Sequence, residues 1–172
     1  MAANTTWVIP PPKKSLVVGV ADMIASNDPS AEIVTYSLGS CLGVTVYDPQ
    51  VKVGGLLHLM LPDSAINASK AMTSPYMFVD TGVPRLFQSV FQLGGDRRRL
   101  IVKVAGGAQL LDQQGVFNIG ERNFRTFSEL LAQRGYTVQA RDVGGLSSRT
   151  LRLEMATGKV TIKCPGVDLY AL

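Results

Sequence analysis

Short hydrophobic runs rich in β-branched residues recur along this chain, separated by turn-forming residues. Such runs are typical of β-strands. Positions 15–26 predict one or two strands, and positions 31–40 predict a short strand followed by a turn at Gly39–Ser40. Further strands are predicted at 41–61, where two strands flank the turn signal Asp48–Pro49, and at 99–110, 136–145, 149–158 and 159–164. The last two are separated by a short turn and predict a hairpin.

Two segments show helical periodicity instead. In the first, Ser74 is a suitable N-cap, Pro75 suits the first helical position, and Gly94–Gly95 supplies the stop. Pro84 is expected to kink this helix or to restart it. The second helix is predicted at 119–135, with an apolar stripe and a terminal glycine. Strands interrupted by two well-separated helices favour an α+β fold with much antiparallel pairing.

The composition fits one globular domain and excludes several classes of protein. The chain has 172 residues, of which 46% are hydrophobic and 17% charged. No apolar run reaches the roughly 18 residues of a transmembrane helix, and the N-terminus lacks the pattern of a secretory signal. We therefore expect a mobile tail at 1–13, a single domain at 14–172, a cytoplasmic location and no membrane insertion. In the cytoplasm the two cysteines are expected to be free thiols. Two cysteines and one histidine are too few for an ordinary structural zinc site, so no metal or cofactor is expected.

The only histidine, His58, and one of the two cysteines, Cys41, lie on the two strands that flank the predicted turn. If positions 48–51 form a four-residue loop, Cys41 lies directly opposite His58, with Cβ atoms roughly 4.5–5.5 Å apart. In this register one face of the hairpin carries aliphatic side chains and is expected to lie in the core. The face with Cys41 and His58 carries small and mixed side chains, as the floor of a cleft would. The pattern leaves open whether Cys41 begins the strand or lies in the Gly39–Ser40 turn.

A cysteine beside a histidine has the chemistry of a nucleophile. A free thiol with a pKa of about 8.5 is mostly protonated at neutral pH, and an adjacent imidazole can take the proton and hold the thiolate as an ion pair. The turn at Gly39 and Ser40 suits backbone N–H groups that stabilise an oxyanion. The alternative is structural, because buried cysteine and half-buried histidine are common without any catalytic role.

Several motifs now combine into a specific pattern. They are TYSLGSCLGVTVYDP (35–49), KVGGLLHLMLPDS (52–64), VGVADM (18–23), VDTGVP (79–84), VKVAGGAQL (102–110), NIGERN (118–123), ARDVGG (140–145) and SSRT (147–150). In this order they resemble the chemoreceptor glutamine deamidase family, CheD, over roughly residues 15–163. One position departs from the pattern: Ser148 stands where the resemblance leads us to expect a glycine before Arg149. Because serine disfavours positive φ, the loop at this position is expected to differ in conformation from the family pattern.

The resemblance implies a fold, an activity and partners. The fold would be a β-sandwich-like core of mostly antiparallel or mixed strands flanked by helices, similar to toxin-type cysteine glutamine deamidases. The activity would be hydrolysis of glutamine side-chain amides on chemoreceptor cytoplasmic helices, with Cys41, His58 and Thr35 as the catalytic set. A CheC-type phosphatase is the further partner implied. The rival hypothesis is a non-catalytic interaction module that binds receptors and that phosphatase.

Three other features carry weaker hypotheses. The net charge of +4 favours acidic partners without singling out nucleic acid. Arg97–Arg99 could contact an anionic partner, but a solvated lead-in to a strand is the favoured interpretation, and no nucleic-acid role is expected because no aromatic residues interleave with the arginines. Cys164 is interpreted as structural. The pairs Gly106–Gly107 and Gly144–Gly145 predict turns with positive φ and could border an active-site cleft.

Overall fold

The computed structural model describes residues 13–109 and 118–172. The tail predicted at 1–13 lies outside the described residues except for Lys13, as does position 110 at the end of a predicted strand. The described strands are β1 (Lys14–Val17), β2 (Asp22–Ser26), β3 (Ala31–Leu38), β4 (Leu42–Asp48), β5 (Val53–Leu59), β6 (Ile101–Gly106), β7 (Ala140–Val143), β8 (Arg149–Glu154), β9 (Val160–Lys163) and β10 (Tyr170–Ala171). The described helices are α1 (Ala68–Thr73), α2 (Val79–Gln92) and α3 (Ile119–Gln133).

The strands form two five-stranded sheets. The first has the order β1-β3-β8-β9-β10 and the second β2-β5-β4-β6-β7. Pairing is parallel between β1 and β3 and between β6 and β7, and antiparallel in the other described pairs. The α+β prediction with a mostly antiparallel, sandwich-like core is therefore confirmed, including the hairpin of β8 and β9.

Two hydrophobic clusters divide the molecule into layers. One cluster lies between the sheets, where Leu38, Leu151 and Leu153 of the first sheet meet Leu56 and Ala105 of the second. The other lies between the second sheet and the helices α2 and α3. Because the second sheet is the middle layer, every residue of β4 and β5 is buried. The face of β4 and β5 predicted to form a cleft floor is thus mostly covered by the first sheet. The prediction is wrong for this face except at its end next to Cys41.

Glycine allows the two sheets to approach closely at β4. A Cβ atom at Gly43 would lie 2.7 Å from a methyl carbon of Leu38 and 2.7 Å from one of Leu151, a distance that would force these core side chains to move. The close packing of the two sheets thus explains why a glycine stands at position 43 on the face predicted to be small and mixed.

The first predicted helix begins later than expected. Ser74 and Pro75 start a 3₁₀ turn, Pro75–Met77, rather than α2. The chain is extended at Phe78, because Met77 and Val79 make backbone hydrogen bonds with the segment after β5. Pro84 lies inside α2 without ending it, so the predicted restart is wrong. The second predicted helix is confirmed as α3, and α1 was not predicted. No helix in the described part of the chain is both long and apolar enough to cross a membrane.

Candidate active site

His58 lies near the end of β5 and joins the two sheets through a hydrogen bond. Its Nδ1 is 2.8 Å from the hydroxyl of Thr35 on β3, which belongs to the other sheet. Both side chains are buried, with Thr35 0% and His58 1% exposed. Two of the three residues that the resemblance assigns to catalysis are therefore in direct contact, although they are 23 positions apart in the sequence.

A β-bulge in β3 puts Thr35 in this position. The pairing of β3 with β8 shifts register between Thr35 and Leu38, and Ser37 between them has a φ of 59°. Side chains three positions apart on a regular strand point to opposite faces. The extra residue of the bulge lets both Thr35 and Leu38 face the second sheet: Leu38 packs against Gly43, and Thr35 reaches His58.

The hydrogen bonds of Thr35 determine the tautomer of His58. The Thr35 hydroxyl also lies 2.8 Å from the carbonyl oxygen of Val18, which can only accept a hydrogen bond. A hydroxyl has one proton, so that proton goes to Val18 and the Thr35 oxygen accepts from Nδ1–H of His58. The remaining nitrogen, Nε2, therefore carries the lone pair and can accept a proton.

Burial keeps the imidazole neutral. Desolvation lowers the pKa of His58 from 6.5 to about 4 because a buried cation loses the hydration that water provides. Nε2 is buried and has no hydrogen-bond partner among the described residues. Asp22 is the cross-strand neighbour of His58 on β2, but its carboxylate accepts a hydrogen bond from the N–H of Met23. A neutral hydroxyl, and no carboxylate, is thus the partner of the imidazole in the described structure.

Cys41 lies in a bend at 39–41, immediately before β4 begins. The predicted register is wrong, because His58 pairs with Gly43 and Asp48 pairs with Val53. The loop is 49–52 rather than 48–51, so every pairing on β4 moves by two residues. This even shift keeps Cys41 on the side of the sheet that carries His58 but places it just beyond the last pair of the ladder. No hydrogen bond joins Cys41 to His58 among the described contacts.

The thiol of Cys41 is also held in its neutral form. The side chain is half-buried, and desolvation raises the pKa of Cys41, with a smaller opposing effect from the residue's own backbone N–H. Burial therefore favours a neutral thiol and a neutral imidazole over the ion pair that the sequence suggested. The arrangement suits a mechanism in which His58 removes the thiol proton as the sulfur attacks, rather than before.

Three consecutive carbonyl groups fix the bend that carries Cys41. The oxygen of Gly39 accepts from the N–H of Ala108 at 2.8 Å, and that of Cys41 accepts from the N–H of Gly107 at 2.8 Å. Between them, the oxygen of Ser40 accepts from the side-chain amide of Asn123 at 3.0 Å. In a trans peptide the C=O and the following N–H point in opposite directions. The N–H groups of Ser40 and Cys41 therefore point away from these donors, and neither donates to another described residue.

The glycine pairs lie where the sequence suggested and make these contacts possible. Gly106 and Gly107 have φ values of 116° and 64°, and a Cβ at Gly106 would lie 2.1 Å from the Cys41 carbonyl oxygen. Gly144 and Gly145 also have positive φ and hydrogen-bond to Gly106 and Gln109. Gly106 and Gly107 thus border the Cys41 bend, whereas Gly144 and Gly145 contact the 106–109 segment and not the bend itself.

The other candidates from the sequence lie elsewhere. Cys164 is a free, buried cysteine whose sulfur is 3.6 Å from the hydroxyl of Tyr170. The three arginines all have partners within the chain: Arg97 stacks on a tyrosine, and Arg98 and Arg99 bind carboxylates. Ser148 is not among the residues with positive φ, so serine fits the loop in question. The described residues contain no group of three or more potential ligands that could hold a metal ion.

Sequence reasoning missed two groups at this site, the carbonyl of Val18 and the side chain of Asn123. A backbone carbonyl leaves no sequence signal. Asn123 does leave one: it lies four residues before Phe127 and eight before Leu131, on the buried face of α3. A polar residue on an apolar helix face indicates a buried hydrogen bond.

Comparison with known proteins supports the family resemblance. A family model described as CheD chemotactic sensory transduction matches residues 60–164. The "Probable chemoreceptor glutamine deamidase CheD 1" of Syntrophus aciditrophicus is 45% identical over 157 residues, which cover 91% of this chain and 98% of that protein. The "Probable chemoreceptor glutamine deamidase CheD" of Solibacter usitatus is 44% identical over 150 residues, covering 87% and 89%. On this similarity, the chain belongs to the CheD family.

Proposed function

We propose that this protein hydrolyses glutamine side-chain amides of chemoreceptors to glutamate, with release of ammonia, and that residues 14–172 form the catalytic unit. The names of the CheD relatives support the substrate and the reaction. The observation that carries the mechanism is the hydrogen bond of Thr35 to His58, which leaves Nε2 as the proton acceptor on the side of the sheet that carries Cys41.

The first half of the reaction forms a thioester. The Cys41 sulfur attacks the amide carbon of the glutamine while its proton passes to Nε2 of His58, and the carbonyl oxygen becomes an oxyanion. The imidazolium then gives that proton to the amide nitrogen, the C–N bond breaks, and ammonia leaves. His58 is neutral again at the end of this half.

The second half hydrolyses the thioester. His58 takes a proton from water as the water oxygen attacks the thioester carbon. The second oxyanion collapses, the C–S bond breaks, and the proton returns to the Cys41 sulfur. The product is a glutamate side chain, and the free thiol and neutral imidazole are restored.

The backbone N–H groups of Ser40 and Cys41 are the proposed oxyanion donors, with Gly39 supplying the turn that exposes them. Their orientation follows from the carbonyl groups of Gly39 and Ser40, which Ala108 and Asn123 hold on the opposite side. A preorganised donor is effective because it needs no reorientation as the charge develops. Thr35 orients the imidazole and fixes its tautomer, but a neutral hydroxyl gives the imidazolium less stabilisation than a carboxylate would.

The direct test incubates the protein with a chemoreceptor cytoplasmic fragment and measures conversion of glutamine to glutamate by mass spectrometry. Cys41→Ala is expected to abolish conversion. Cys164→Ala removes the other free cysteine, which lies outside the site, and is expected to convert at the wild-type rate. Conversion that survives Cys41→Ala would refute the mechanism, and a wild-type protein that binds the fragment without converting it would favour the non-catalytic rival.

A CheC-type phosphatase is the second proposed partner, on the family resemblance alone. Gel filtration of the two purified proteins, separately and mixed, tests this association. We also propose that the protein acts in the cytoplasm, where a reducing environment keeps the two free cysteines as thiols. Cell fractionation with an antibody against the chain tests the location.

A further inference from the structure

Helix α3 lies against the bend that carries Cys41 through two residues on one of its faces. Gly120 and Asn123 are three positions apart and therefore on the same side of the helix. A Cβ at Gly120 would lie 2.3 Å from the carbonyl oxygen of Gly107, so the helix and the 106–107 loop touch backbone to backbone. This close approach brings the Asn123 side chain to the Cys41 bend.

The amide group of Asn123 joins the two halves of the site. Its Nδ2 donates to the carbonyl oxygen of Ser40 at 3.0 Å and to that of Met60 at 2.8 Å. Ser40 directly precedes Cys41, and Met60 is two residues after His58. An NH₂ group has two protons, so a single side chain accounts for both bonds, and the residue is 0% exposed.

The oxygen of the Asn123 side-chain amide lowers the stability of the folded state. Oδ1 of Asn123 is buried without a hydrogen-bond partner among the described residues. An unsatisfied buried acceptor is unfavourable, and such groups in native structures often accompany a functional requirement. Phe127 and Leu131 on the same face are apolar, so the polar residue at this position serves its hydrogen bonds to Ser40 and Met60.

We propose that Asn123 is a positioning residue of the deamidation reaction, an inference that rests on the catalytic role proposed above for Cys41. By holding the Ser40 carbonyl it fixes the plane of the peptide between Ser40 and Cys41, and so aims the Cys41 N–H at the oxyanion. By holding Met60 at the same time it sets the distance between this peptide and the strand that carries His58. Asn123 itself does not touch the substrate.

This role predicts a selective loss in the chemical step. Removal of a single oxyanion donor lowers kcat by roughly 100- to 1,000-fold in other enzymes, and misalignment of one is expected to lower it by about 100-fold. Asn123→Ala should therefore reduce kcat by about that factor while KM changes less than about threefold. Alkylation of Cys41 by iodoacetamide, measured in a Cys164→Ala background, involves no oxyanion and should slow by less than about threefold.

Two further variants separate positioning from stability. Leu131→Ala deletes a buried side chain from the same helix, so it should lower the melting temperature without lowering kcat by more than about threefold. Asn123→Asp is nearly isosteric and leaves no cavity, but it replaces the NH₂ donor with oxygen, so it should lose at least as much kcat as Asn123→Ala. All variants are assayed well below their measured melting temperatures.

The outcomes distinguish this inference from the proposed function. If the wild type converts no glutamine, the proposed function fails. If the wild type is active and either Asn123 variant keeps kcat within about threefold, or loses no more than Leu131→Ala, the positioning role is overturned. An equal loss in deamidation and in alkylation would also overturn it, because the effect would then lie on the thiol rather than on the oxyanion.

Discussion

Between pH 7 and pH 5, acidification should destabilise this protein mainly through one side chain, His58. It is the only histidine in the chain. Histidine is the only side chain whose unperturbed pKa lies between about 5 and 8. The folded pKa of about 4 is lower than the unfolded value near 6.5, so the unfolded state binds the proton first. The stabilisation is therefore complete above pH 6.5 and is lost progressively as the pH falls toward 4.

The two pKa values set the size of the effect. For an unfolded pKa of 6.5 and a folded pKa of about 4, proton linkage lowers the free energy of unfolding by about 2 kcal/mol between pH 7 and pH 5. His58→Asn is the matched control, because an asparagine side chain can place an N–H near Nδ1 and still donate to Thr35, while it has no titratable group.

Urea unfolding of both proteins at several pH values measures this difference. The wild type should lose about 2 kcal/mol more than His58→Asn over this interval, and most of the loss should occur below pH 6.5. Parallel curves for the two proteins would instead show that the folded and unfolded states bind the His58 proton equally well, and that burial does not lower its pKa.

Three further results are expected. Thr35→Val should lower kcat roughly 10- to 100-fold because it frees the imidazole tautomer, whereas Thr35→Ser, which keeps the hydroxyl, should stay within about threefold; equal losses would contradict the tautomer argument. Gly120→Ala should lower stability by about 1–3 kcal/mol in thermal or urea unfolding and also reduce deamidation, because its Cβ displaces the 106–107 loop; an unchanged protein would contradict that contact. In a Cys164→Ala background, alkylation of Cys41 should accelerate with pH up to an inflection above the ordinary pKa of a thiol, because burial raises the pKa of Cys41; a plateau at neutral pH would instead indicate an ion pair.

The sequence pattern predicted the strands around the site better than their register. Turn residues correctly placed a hairpin between Cys41 and His58, but they could not decide which residue ends β4. Asp48 stays in the strand because its buried carboxylate binds Arg99 at 2.7 Å and the N–H of Asp96 at 2.8 Å. Both partners lie about 50 positions away in the sequence, so the hairpin alone contains no sign of them.

The contacts that complete the site depend on packing between distant elements. Thr35 reaches His58 only because two sheets face each other and a bulge turns β3 at Ser37. Positive φ is usually adopted by glycine rather than serine, so the sequence does not indicate a bulge at Ser37. Asn123 reaches Ser40 across 83 positions, and its contact requires that α3 touch a glycine loop. Local periodicity predicted the helix but not what its polar residue would bind.

The proposed mechanism requires that the Cys41 sulfur becomes covalently attached to the substrate glutamine. The most direct measurement stops the reaction with a receptor cytoplasmic fragment by acid within the first turnover and analyses the peptides of the protein by mass spectrometry. We expect a receptor-derived acyl group on Cys41, none on Cys164, and a decline of this adduct as glutamate appears. Glutamate formation without any adduct on Cys41, at a rate that Cys41→Ala does not change, would contradict this mechanism.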